Sequence, residues 1–437
     1  IPVADTCLST YVKVLRSNSH RDIFHHLYLM KDNYLLSVTE RHDRIWSEYI
    51  TTYGLKRYDE RGNFINGVNV FLDDTNSVVL SRRIDDQRIM LIHTKTVDSR
   101  LSYIFTLIND QMQVIWSKAY KTFTGYNFTS QQLFGDLTTD AQGNFYFVGN
   151  NLGFMENRKV MVFKMDPNGN ALWLKVTDIP GGLFLTCSAV TTNTSVVVVV
   201  EGSPRCATLR LDKNTGQVLN AYTYANDHGG SIYKRDLKFV NDRILYSCNT
   251  QGNALLVLLD TTGIPFRMKR INRAGYGHGG GDMKNWNYYN AYIYYDAGNN
   301  RKNVLCMIDS ALNMVFSNEY DASRYSFSPR IHVSDEGNIY MGTGQIYGGV
   351  NGNYYDPIVI KFDPQGKLGT CNSVNVIPDI TDVFPDAQLA STIASDNIFT
   401  LLPSIPLTFI LDTLGQHNSE LLCSSPSTCQ SLYLSGT

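Results

Sequence analysis

One phrase recurs along this chain at intervals of about 50 residues: an apolar strand ending in Asp or Asn, a short turn that usually holds Gly, and a second strand. The anchors are Asp59, Asn109, Asp166, Asp212, Asp260, Asp309, Asp363 and Asp412, with spacings of 50, 57, 46, 48, 49, 54 and 49 residues. A period of this length restricts a chain to stacked supersecondary units, because one unit cannot bury its own apolar face. The clearest copy reads Val162-Phe-Lys-Met-Asp166-Pro-Asn-Gly169-Asn-Ala-Leu-Trp173. Its chemistry is that of a hairpin. The Asp side chain accepts backbone N–H groups inside the turn, and Gly supplies the positive φ that starts the second strand in register.

A second element precedes each hairpin: an Asn followed closely by a strongly apolar strand. Gly143-Asn-Phe-Tyr-Phe-Val-Gly149 and Gly337-Asn-Ile-Tyr-Met-Gly342 are nearly the same phrase. Each unit therefore reads as four antiparallel strands, a to d. Eight units predict an all-β, eight-bladed β-propeller over residues 1–421, with seven blades as the fallback count. Only residues 385–394 hint at helical periodicity. Tyr11-Val-Lys13-Val-Leu15 matches the d strands Trp116-Ser-Lys118 and Trp173-Leu-Lys175 and has no hairpin before it. It is expected to complete the last blade and close the ring, hiding an edge. The competing reading gives that role to residues after Gly415.

Composition supports strands and excludes some partners. Tyr 27 and Phe 20 accompany many Val, Ile and Thr. With 38 basic against 40 acidic residues there is no electrostatic footprint for nucleic acid. No run approaches the 18 or so apolar residues that cross a bilayer as a helix. Ile1-Pro2 reads as a processed N-terminus. Eight cysteines without a Cys-x-x-Cys suit an oxidising compartment and argue against a zinc ribbon. Cys423 and Cys429 bracket a five-residue loop and are the disulfide candidate; residues 422–437 are expected to be a linker or the start of a further module. The other six are expected to be buried thiols.

The phrases Asp166–Trp173 and Asp140–Gly149 resemble the propeller repeats of gliding-type Bacteroidota surface proteins, across residues 10 to about 415. That resemblance implies cargo of the type 9 secretion system. It further implies an extracellular, cell-surface location, secretion machinery as partner during export, and a longer product with a sorting domain. It also implies O-glycans at Asp-Ser/Thr turns, which here are Thr261, Ser310 and Thr413. Leu211-Asp212-Lys-Asn-Thr-Gly216 resembles a quinoprotein dehydrogenase repeat, but that family's vicinal cysteines are missing and its docking Trp does not recur in a chain with four Trp; no cofactor is expected.

Two Gly-rich aromatic loops are the ligand candidates. One is a d–a loop, residues 272–289, holding Tyr276, His278, Asp282, Trp286 and Tyr288. The other is a b–c loop, residues 344–356, holding Tyr347, Tyr354 and Tyr355. Glycine permits close backbone approach, and flat aromatic faces with polar tips suit a glycan or peptide. The alternative is a loop packed by its own tyrosines. Gly279-Gly-Gly281 lacks the spacing of a phosphate loop. His25-His26 alternate across a strand and make no metal site. Catalysis is not expected. The hairpin aspartates are spread around a rim, and Asp136, Asp236 and Asp282 are the a-strand acids a propeller glycosidase would need, without a pattern among them. The leading reading is a non-catalytic extracellular binding or display module of a larger surface protein, serving adhesion or glycan and peptide binding. The alternatives are a carbohydrate-active propeller enzyme and an assembly scaffold.

Overall fold

The computed structural model describes residues 10–16, 22–45, 48–71, 78–97, 100–121, 135–151, 159–178, 183–203, 205–225, 235–250, 253–272, 274–275, 281–295, 301–320, 330–349, 352–368, 374–375, 380–383, 387–389, 395–396, 411–413 and 418–421. The chain is an all-β propeller whose described strands form seven blades, not eight. It divides into two compact units. One holds blades one, six and seven, and the other holds blades two to five.

In the second unit, blade two runs Val78–Arg83, Arg88–Val97, Arg100–Asn109, Val114–Lys121, and blade three Asp136–Thr139, Phe145–Asn151, Lys159–Met165, Ala171–Asp178. Blade four is Leu183–Thr191, Ser195–Ser203, Arg205–Asp212, Val218–Ala225, and blade five Arg235–Val240, Arg243–Thr250, Asn253–Asp260, Pro265–Asn272. In the first unit, blade one is Asp22–Leu29, Leu35–Ile45, Glu48–Tyr58, Phe64–Phe71, and blade six Asp282–Lys284, Asn287–Tyr295, Arg301–Ile308, Met314–Tyr320. Blade seven takes strands a to c from Arg330–Val333, Ile339–Gly349 and Gly352–Phe362. Its outer strand is Tyr11–Arg16, which pairs antiparallel with residues 358–361, so the N-terminal strand does complete the last blade. Tyr11 is buried there, and its hydroxyl donates to the Glu60 carbonyl of blade one at 2.9 Å.

Within each unit the core lies between successive blades, so a central strand with a neighbouring blade on either side is buried on both faces. Val196–Val200 is the plainest case. Val196, Val198 and Val200 pack toward blade three, while Val197 and Val199 pack toward blade five. Two-faced burial removes the polar alternation of a half-exposed strand and leaves a continuous apolar run.

Seven of the eight anchors are hairpin turns. In each, the side-chain oxygen of Asp59, Asn109, Asp166, Asp212, Asp260, Asp309 or Asp363 accepts two N–H groups two to four residues on, at 2.7–3.0 Å. The eighth, Asp412, is not in a turn. It lies in Leu411–Thr413, paired as a fifth strand with Val68–Val70 of blade one. The physical reason is that this segment is used as an edge: Leu411–Thr413 runs antiparallel along the d strand of blade one, which leaves Asp412 inside a strand and not at the end of one.

The chain beyond Asp363 forms outer edges instead. In the first unit Val374–Asn375 pairs with the d strand of blade six, Leu411–Thr413 with that of blade one, and Asn418–Leu421 with Lys13–Arg16 of blade seven. In the second unit Ile380–Val383 pairs with blade five, Ala387–Leu389 with blade four, and Ser395–Asp396 with blade three. Residues after Gly415 thus lie outside the N-terminal strand and do not replace it.

Just after each c–d turn of blades one to six sits a β-bulge. The extra residues are Ile65, Ile115, Leu172, Leu219, Phe266 and Val315, each about half exposed. A bulge re-aims the residues beside it. Here the following residue is turned onto the next blade: Trp116 lies over Gly169, Trp173 over Gly216 and Phe316 over Gly366. Both indoles also donate Nε1–H to that blade's turn, Trp116 to the Pro167 carbonyl at 3.1 Å and Trp173 to Lys213 at 3.2 Å. A docking tryptophan therefore does recur, in two blades.

Candidate functional site

Charged side chains converge at the innermost strands, and their arrangement repeats in the two units. Asp136 is the first residue of the a strand of blade three. Its Oδ1 accepts the Leu137 N–H at 2.8 Å, and its Oδ2 accepts the Ala189 N–H of blade four at 3.3 Å. Asp282 is the first residue of the a strand of blade six. Its Oδ1 accepts the Met283 N–H at 2.9 Å, and its Oδ2 accepts the Val333 N–H of blade seven at 2.9 Å. Each carboxylate is thus a staple from one blade to the next.

The cations differ. Arg82 of blade two donates Nε–H to Asp136 at 2.7 Å, and its Nη2 also meets Oδ1 in a close ion pair. His332 of blade seven holds Nδ1 3.9 Å from Asp282, while its Nε2 is 2.7 Å from the Leu27 carbonyl of blade one. Contact with a carbonyl makes Nε2 the protonated nitrogen. Asp236, second in the a strand of blade five, lies 3.6 Å from Lys238. A pocket of about 170 Å³ opens beside these groups in the second unit, lined by Arg82, Arg83, Asp136, Thr138, Asp236 and Lys238 among others. Asp136, Asp236 and Asp282 therefore do carry a pattern, one of strand position.

A second charged cluster sits at the turns of blades three and four. Asp140 accepts the Tyr146 hydroxyl at 2.8 Å and lies 4.0 Å from Lys213 Nζ, which donates to the Thr192 carbonyl at 3.0 Å. Burial works to raise the Asp140 carboxyl. Bonds from the Asn144 side chain, Tyr146 and the Asn144 N–H, with Lys213 nearby, outweigh it and hold the group below the usual carboxylate value. The Tyr146 phenol is pushed well up, first by burial and then by its bond to Asp140.

The ligand candidates do not assemble as expected. Tyr276 and His278 lie outside the described residues. Asp282, Trp286 and Tyr288 are not one loop: Asp282–Lys284 and Asn287–Tyr289 pair as strands a and b of blade six. Trp286 is in the two-residue turn between them, with Asn285 at φ 48° and Trp286 at φ 67°. Tyr288 is buried in the core rather than offered to a ligand. The alternating apolar faces of Met283 and Tyr288-Tyr289 were a strand signal that the glycines beside them obscured. The segment 344–356 is likewise a hairpin rather than a loop, with Tyr347 opposite Tyr354 and Ile346 opposite Tyr355. A bulge at Phe24/His26 breaks the simple alternation expected of His25 and His26.

Cys187, Cys206, Cys248 and Cys306 are buried free thiols, as expected, and burial pushes the Cys306 thiol up to about 12. Cys423 and Cys429 lie outside the described residues. Thr261 and Ser310 sit in c–d turns, but Thr413 is on the paired segment beside blade one and not at a turn tip. Among the described residues no three His, Cys, Asp or Glu side chains group as metal ligands, and no helix is long and apolar enough to cross a membrane.

No known family model and no curated protein sequence matches the chain. Among solved structures it is similar to the Dos1 propeller, at 10% identity over 78% of this chain and 77% of that one, with a TM-score of 0.46. It is also similar to an uncharacterized protein from Listeria monocytogenes, at 11% identity over 76% and 94%, TM-score 0.44. A third likeness is to prolyl oligopeptidase B from Galerina marginata, at 9% identity and TM-score 0.43, covering 85% of this chain and only 52% of that one. The chain thus spans about half the length of that enzyme's chain. The propeller assignment rests on the strand pairing itself.

Proposed function

We propose that this chain is a non-catalytic binding and display propeller within a larger secreted surface protein. One observation carries the reading: both oxygens of Asp136 and of Asp282 accept backbone N–H groups, one from their own strand and one from the next blade. A general acid or nucleophile must present an oxygen to substrate, and these oxygens hold blades together. The ligand face on this reading is the end carrying the long b–c hairpins, 35–58 in blade one and 339–362 in blade seven. Tyr347, Tyr354 and Tyr355 stand in the outer part of the second hairpin and would meet a glycan or peptide. The likeness of Asp166–Trp173 to Bacteroidota surface repeats supports export by type 9 secretion and O-glycans at Thr261 and Ser310.

The test is a glycan and peptide array run beside a glycoside-hydrolysis screen. Saturable binding that is lost on Tyr354→Ala, without turnover, is the expected result. Hydrolysis abolished by Asp282→Asn would overturn the reading in favour of an enzyme.

A further inference from the structure

The pocket in the second unit belongs to neither hairpin. Its charges are layered. The carboxylates of Asp136 and Asp236 have side chains only 4% exposed, whereas Arg82 and Lys238 in front of them are 23% and 32% exposed. Each acid braces a cation from behind, so an entering molecule meets the cations first. Arg83 adds a third positive charge to the lining, its Nε–H held by the Asp85 carbonyl at 3.0 Å. Three cations against two carboxylates leave the lining one charge positive. A net charge in a partly enclosed, low-dielectric wall selects ligands of the opposite sign.

Size and lining narrow the class. About 170 Å³ is close to the roughly 150 Å³ of a cavity that takes up a six-membered ring. The lining holds no aromatic side chain, so a neutral sugar would find no face to stack on. It does hold the hydroxyls of Thr138 and Thr139, which can exchange hydrogen bonds with ligand hydroxyls.

We infer that this pocket binds a small, singly charged polyhydroxy carboxylate, its carboxylate against Arg82 and Lys238 and its hydroxyls against those of Thr138 and Thr139. The site is independent of the hairpin face and stands whether or not that face binds.

Calorimetric titration of the whole chain with glucuronate, gluconate and glucose tests it. Saturable one-to-one binding of glucuronate or gluconate with glucose silent is expected, and the tighter acid distinguishes a ring from an open chain. Lys238→Met should weaken that binding at least tenfold with the β-sheet circular-dichroism signal retained, and Lys238→Arg should keep most of it. No binding by either acid, glucose binding as well as the acids, or full affinity in Lys238→Met would each overturn the assignment.

Discussion

Asp136 and Asp282 occupy like positions in the two units and accept like N–H groups, yet one is paired with arginine and the other with histidine. Asp136 is nearly sealed and its guanidinium approaches closely. The Asp282 side chain is 24% exposed, and its imidazole stands 3.9 Å away while also reaching the Leu27 carbonyl. The same staple is therefore an ion pair in a low dielectric in one unit and a weak, partly solvated contact in the other. The backbone N–H contacts do the joining in both. The cation decides how costly it is to lose the carboxylate.

The largest expected effect breaks the first unit at its outer strand. Deleting residues 1–18 removes Tyr11 and the d strand of blade seven, leaving the outer edge of residues 358–361 unpaired. The loss of buried apolar surface alone is on the order of 5 kcal/mol. Chemical denaturation of the truncated chain would read it, and an unchanged midpoint would contradict the pairing.

Next comes the direct contrast. Asp136→Asn strands Arg82 against a neutral partner and should cost about 3–5 kcal/mol, as for other broken buried pairs. Asp282→Asn should cost about 1 kcal/mol, since its partner stands 3.9 Å away and the contact is partly solvated. Equal losses would mean that the shared N–H contacts, not the cations, set the energy. A double-mutant cycle sharpens this. Arg82→Met with Asp136→Asn should show a coupling of about 2 kcal/mol, and His332→Gln with Asp282→Asn less than about 0.5 kcal/mol.

The smallest effect concerns acid. Asp140 has a carboxyl held below its unfolded value, so its contribution is fully present above about pH 4 and is lost as pH falls through the folded value. Asp140→Asn should flatten the acid limb of stability against pH while leaving the neutral-pH slope alone. An unaltered acid limb would show that its bonds to Asn144, Tyr146 and Lys213 do not discriminate the charged form.

The hairpin chemistry was legible because it is local. Seven anchors formed their turns as read, four of them as Asp, two spacer residues and Gly and the one at Asp212 with a third spacer. Blade two and blade six formed their turns without the glycine. Met112 and Leu312 take φ near 60° there, and each keeps its side chain buried. The count failed for the opposite reason: an apolar run and Asp-x-x-Gly at Asp412 satisfied the local rule, while the pairing that takes Leu411–Thr413 to the edge of blade one is with residues far away in the sequence. The site was less legible still. Asp136 and Arg82 are 54 residues apart, and what joins them is the stacking of one blade on the next. The bulges that aim Trp116 and Trp173 leave no mark in hydrophobic periodicity, because the inserted residue is itself apolar.

The borrowed outer strand of blade seven has a consequence in time. Tyr11–Arg16 leaves the ribosome roughly 340 residues before its partner Gly352–Phe362. At about 5–20 residues per second that is a wait of roughly 20–70 s with the strand's hydrogen-bonding groups uncommitted. Blade one can form early, but the seventh blade stays open until residues 352–362 have been made. Any carrier that must keep this chain threadable has until then to engage it.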